Sequence, residues 1–111
     1  MDDVVVVVEY RVREGHEATA MARIAHLVAA VRANEPLCDG IRILQHQDDP
    51  RRITLVEVWP DREHYLGPHL QQPHLRTFID EAASLFEGPP SISFWNASPA
   101  WDRRISMRPR D

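Results

Sequence analysis

Six histidines punctuate this sequence of 111 residues, and three of them, His64, His69 and His74, recur at intervals of five. Imidazole titrates near neutral pH, so such a group suggests acid–base work or metal ligation. The interval argues against zinc. Five residues carry a helix about 140° beyond a full turn, so successive members do not share a face. Helical zinc ligands stand four apart with a glutamate between them, a pattern absent here. No metal is expected. The plain alternative for the three histidines is that two lie on the surface and one is packed and hydrogen-bonded. Cys38 sits in a loop with no histidine close in sequence. It reads as a small loop hydrophobe rather than a nucleophile, and a single cysteine excludes an internal disulfide framework. Four glycines form no phosphate-cradling loop, and no Gly-x-Ser-x-Gly elbow occurs. The commonest nucleotide-binding and hydrolase chemistries are therefore not encoded.

The aromatics are few. Tyr10, Trp59, Tyr65 and Trp95 fall on or next to expected strands and a short helix. A cleft between helices and sheet that borrowed some of them would have apolar walls and a few hydroxyl or indole groups, as a flat aromatic ligand requires. The alternative is that all four are core.

The elements that would position these residues follow from periodicity and punctuation. Val4 to Arg13 is a strand, since five consecutive valines are stiff at χ1 and suit a pleated sheet. His16 to Asn34 is a helix with an apolar stripe at Met21, Ile24, Leu27, Val28 and Val31. Ile41 to Gln47 and Arg52 to Trp59 are strands joined by the turn-forming Asp48-Asp49-Pro50-Arg51. Asp61 is placed to cap a short helix through Tyr65, which Gly67-Pro68 interrupts. A longer helix begins near Pro73, suited to a first helical turn, and carries Leu75, Phe78, Ile79, Ala82, Leu85 and Phe86 on one face. Ser91 to Ala97 is the last strand.

This order gives an α+β fold of ferredoxin-like β-α-β-β-α-β topology, a four-stranded antiparallel sheet with both helices on one face. The other face should then be polar, but strands 1, 3 and 4 are apolar on both sides. Such a face needs a cover. No segment remains to supply it except a second copy of the chain, so a homodimer joined sheet to sheet is expected. One domain is expected over residues 1–98, with an Arg-rich tail over 99–111 that is extended or covers a partner. The net charge of −4 does not favour nucleic acid or an anionic membrane. Asp2-Asp3 stands where a signal peptide would be basic, and no stretch approaches membrane-span length, so a cytoplasmic location is expected.

One segment resembles a known family. Glu57-Val58-Trp59, followed by a short helix and His69-Leu70-Gln71-Gln72-Pro73-His74-Leu75, is similar to the antibiotic-biosynthesis monooxygenases, and the loop Glu35-Pro36-Leu37-Cys38-Asp39-Gly40 resembles one of theirs. The likeness covers about residues 4–97. It implies a dimeric α+β barrel and a cofactor-independent monooxygenase that oxidises a phenolic, anthrone or quinol-type small molecule with O₂. On that reading His69 is the base or hydrogen-bond partner, and Trp59 and Tyr65 form the catalytic pocket wall. His74, Trp95 and Tyr10 complete the substrate-binding set. A heme-degrading branch carries an Asn, a Trp and a His where this chain has Val8, His69 and Ile79, so heme degradation is not expected. Two other uses of the fold stay open: a non-oxygenase binder, cyclase or isomerase, and a structural dimer without a ligand.

Overall fold

The computed structural model describes residues 3–98 and 100–103. The elements run β1 (Val4–Arg11), α1 (Glu17–Asn34), β2 (Gly40–Gln45), β3 (Arg52–Trp59), α2 (Arg62–Leu66), a 3₁₀ turn (His69–Gln71), α3 (Pro73–Leu85) and β4 (Ser91–Asn96). The sheet is antiparallel throughout, in the order β2-β3-β1-β4. The expected ferredoxin-like arrangement is present. β3 has the expected bounds, and the other three strands end one or two residues earlier than periodicity suggested. Val12 leaves β1 to bridge Phe86, and β2 stops at Gln45, where Gln45 Nε2 donates to the carbonyl of Pro50. Most of the tail, including Arg104, Arg108 and Arg110, lies outside the described residues.

The valine run works because β1 is central. Val6 pairs with Glu57 on one side and Phe94 on the other, and Val8 with Leu55 and Ile92. Val4, Val6 and Val8 face the helices and are buried with Ile53, Leu55 and Trp59 of β3. Their neighbours Val5, Val7, Val56 and Val58 turn the other way and are only half buried. Leu44 and Trp95 on that outer face are 44% and 58% exposed. A pleat alternates its side chains, so a strand apolar at every position presents hydrophobic surface on both sides.

The helices differ from expectation in one respect each. In α1 the buried stripe is Ala20, Ile24, Leu27 and Val31, with Met21 and Val28 at its edge. Ala20 is fully buried, whereas Ala18, Ala22, Ala25, Ala29 and Ala33 are exposed. In α3, Leu75, Phe78 and Leu85 are buried, but Ile79 is 53% exposed. Phe86 reaches the core from just beyond the helix, as its C-cap.

These burials separate two substitutions of equal chemistry. Ile24→Ala, at a fully buried position, is expected to cost about 2–5 kcal/mol in urea unfolding. Ile79→Ala should stay within about 0.5 kcal/mol of the parent. Equal losses would contradict the observed orientation of α3.

Candidate functional site

The segment between β3 and α3 is broken twice. Asp61 caps α2, its Oδ1 accepting from the His64 N–H at 2.7 Å. Gly67 ends α2 with its N–H donating to the Glu63 carbonyl, and a Cβ there would approach that carbonyl to 3.1 Å. Pro68 then opens the 3₁₀ turn, and Pro73 occupies the first turn of α3. His69 therefore lies in one element and His74 in the next. The helical interval that seemed to part them does not apply, because no single helix contains both.

Both converge on one carboxyl group. Glu35 caps α1, its N–H donating to the Val31 carbonyl, and its side chain is buried beneath the two rings. His69 Nδ1 lies 2.9 and 3.0 Å from the two Glu35 oxygens, and His74 Nε2 lies 2.6 Å from Oε2. A neutral His69 with its proton on Nδ1 donates to Glu35, which leaves the lone pair on Nε2. Among the described residues Nε2 has no hydrogen-bond partner. Burial holds the His69 pKa below the ordinary imidazole value of 6.5, and the Glu35 hydrogen bond opposes that without reversing it. His69 is thus a neutral, oriented base near pH 7. Among the described residues no group of His, Cys, Asp and Glu is arranged to hold a metal ion.

A second buried carboxyl stands behind this one. Glu57 is on the helix-facing side of β3 and accepts from the Trp59 indole N–H at 2.9 Å. Burial, with Glu35 adding repulsion, pushes its pKa up to about 7 against the indole hydrogen bond. Trp59 is itself buried, with His69 at 4.4 Å, His64 at 5.7 Å and Tyr65 at 5.8 Å between ring centroids.

Tyr65 is where this polar group meets open space. Its ring lies 5.0 Å from His69 on one side and lines a cleft of about 430 Å³ on the other. That volume is in the lower part of the usual range for small-molecule sites, about 300–1,000 Å³. The cleft lies between α3 and strands β1 and β4, floored by Val8, Leu75, Phe78 and Phe86, with Tyr10 as its second hydroxyl. Tyr10 packs against Phe86 at 4.5 Å. Neither tyrosine hydroxyl has a hydrogen-bond partner among the described residues. Burial first, then Glu57, raises both phenol pKa values, so both remain neutral donors. Cys38 is also pushed up, to about 11, chiefly by burial. It stays a thiol near neutral pH.

The antibiotic biosynthesis monooxygenase family matches residues 3–81. The chain belongs to this family. Solved structures agree on the fold of this family member. A Pseudomonas aeruginosa protein, PA3566, is 19% identical with a TM-score of 0.80, over 89% of this chain and 97% of its own. Protein SO0527 from Shewanella oneidensis is 22% identical with a TM-score of 0.76, over 86% and 91%. A conserved Methanosarcina mazei protein is 19% identical with a TM-score of 0.76, over 88% and 95%. No curated protein matches the chain.

Of the residues singled out in the sequence, His69, Tyr65 and Trp59 form one contact group, and His74 joins it through Glu35. Tyr10 lies in the cleft beyond Tyr65. Trp95 does not join them. Its parity in β4 is opposite to that of Ile92 and Phe94, which sends it to the outer face. His69 does not line the cleft but lies behind Tyr65. The plain alternative holds in part: His69 is packed and hydrogen-bonded, while His64 and His74 are partly buried, against Trp59 and Glu35, rather than on the surface. Glu35 and Glu57 had no assigned chemistry. A signal existed for Glu57, which shares the inward parity of Ile53, Leu55 and Trp59. No local pattern marks Glu35.

Glu57 offers a test through stability. Its carboxyl is easier to ionise in the unfolded chain, near 4.5, than in the fold, near 7. The fold therefore loses stability as pH rises from 4.5 to 7 and loses no more above it. Gln keeps the acceptor for Trp59 without the charge. Glu57→Gln is expected to stabilise the protein by about 3 kcal/mol at pH 8 and by almost nothing at pH 4. A gain independent of pH would mean that Glu57 is not held as described.

Proposed function

We propose that this family member is a cofactor-independent monooxygenase for a small phenolic, anthrone or quinol-type molecule. The observation that carries the reading is the pairing of an apolar cleft with a neutral imidazole oriented by a buried carboxylate directly behind the cleft's inner tyrosine. The substrate would lie against Phe78 and Phe86 with an oxygen toward Tyr10 or Tyr65. His69 Nε2 would remove the acidic proton once Tyr65 turns aside to admit it; hydrogen bonds in an unliganded site are commonly looser than in the complex. Glu35 would stabilise the imidazolium, and the neutral tyrosines would donate to the developing enolate oxygen. The carbanion adds to O₂, its electron pair making the C–O bond of a peroxide. The peroxide recovers the proton from His69, and loss of water leaves a carbonyl. One oxygen atom thus enters the product and one leaves as water. Apolar walls protect the carbanion from quenching by solvent.

Oxygen uptake with anthrone or a quinol is the direct measurement. His69→Ala should lower kcat by about 10²–10⁴-fold, the usual worth of a general base. In the parent, kcat/KM should fall on acidification with a midpoint below 6.5, as Nε2 takes up a proton. Turnover that persists without O₂ would instead identify a cyclase or isomerase on the same residues. Unchanged turnover in the His69 variant would remove it from the mechanism.

We also propose that the protein is a homodimer closed over the outer sheet face, because Val5, Val7, Val56, Val58, Leu44 and Trp95 leave apolar side chains on that face only partly buried or exposed. Sedimentation equilibrium should give twice the chain mass of 12.8 kDa. Trp95→Asp should shift the species toward monomer. A parent protein that is monomeric at micromolar concentration would exclude this assembly.

A further inference from the structure

Polar groups are unevenly spread through the cleft. The inner part holds the two tyrosine hydroxyls, and the walls are aliphatic and aromatic. Among its lining residues one is charged: Arg13, at the exposed rim with Gly88, Pro89 and Ile79. Three other arginines have acidic partners. Arg11 pairs with Asp49, Arg23 with Glu81 and Arg51 with Glu87. Arg13 forms no ion pair among the described residues.

Its position is nevertheless fixed. The backbone N–H of Arg13 donates to the Leu85 carbonyl at 2.8 Å, and its Nε donates to the Ala83 carbonyl at 3.0 Å. The stem is thereby tied to the last turn of α3, while the two terminal amino groups have no hydrogen-bond partner among the described residues. A planar guanidinium held in this way presents the fork that matches a carboxylate. The surrounding rim adds little, since Pro89 and Pro90 have no N–H. The protein as a whole carries a net charge of −4, so its long-range field does not attract anions.

We propose that the cleft takes an aromatic acid, whose flat apolar body lies between α3 and the sheet and whose carboxylate, or an equivalent anionic group, is met at the rim by Arg13. This rests on the reading of the cleft as the substrate site. It orients the ligand as well as selecting it: the anionic end stays at the mouth, and the opposite edge of the ring system goes in toward Tyr65.

Matched probes that cannot be oxidised test this without turnover. Anthraquinone carboxylic acid and its methyl ester differ in charge and little in shape, and their binding can be titrated by calorimetry. The parent protein should bind the acid about tenfold more tightly than the ester, as one charge-assisted hydrogen bond provides. Arg13→Met should abolish that preference with the ester affinity unchanged. Arg13→Lys should retain part of it, and Arg13→Glu should reverse it. Thermal midpoints of the variants separate these effects from misfolding, and only variants that melt as the parent does are compared. Equal binding of both probes by the parent, or a preference that survives Arg13→Met, would overturn the role of Arg13 and leave the cleft as an aromatic site. Failure of both probes to bind would overturn the inference and the substrate-site reading together.

Discussion

A carboxyl group buried under two imidazoles is the arrangement on which the rest of this site depends. Removing such a group from water costs several kcal/mol unless hydrogen bonds replace the lost hydration. Glu35 receives its replacement from His69 and His74, and these can reach it only because the chain breaks at Gly67-Pro68 and again at Pro73. A continuous helix through this segment would point the two rings in different directions and leave Glu35 unpaired. The irregular backbone between α2 and α3 is thus the geometry that makes the buried charge tolerable.

The same constraint organises the aromatic residues. His69 is pressed against Trp59, Trp59 is tied to Glu57, and Tyr65 closes the group toward the cleft. Two carboxyls, three imidazoles, an indole and a phenol occupy the space where a domain of this size would ordinarily place aliphatic side chains. Stability is given up in exchange for groups whose protonation is set by burial. The Ile53, Leu55, Val6 and Val8 layer beside them compensates, with every member almost fully buried.

Much of this was legible in the sequence, for identifiable reasons. Element order and the apolar outer face followed from period and from the valine run. Asp61 and Pro73 declared the helix starts, since capping and a fixed φ are local effects. Ile79 was misplaced because α3 has apolar residues over too wide an arc for spacing alone to fix its inner face. The interval of five says nothing about how the histidines face one another, because His64, His69 and His74 lie in three separate elements. Glu35 could not be found at all: its partners are 34 and 39 residues away, and contact at that range is a property of the fold. Trp95 was legible in parity but was grouped by residue type, and parity was the better guide.

The rim of the cleft and the buried polar group behind Tyr65 come from different stretches of chain. Arg13, Ile79 and the Gly88-Pro89-Pro90 loop form the mouth, while Glu35, Glu57, Trp59, His69 and His74 form the group behind Tyr65. Mouth residues are exposed and free of the buried network, so they can drift without disturbing the proton inventory inside. Substitutions at the mouth can therefore change its shape and charge at little cost to the buried group, so that the two parts of the fold are only loosely tied together.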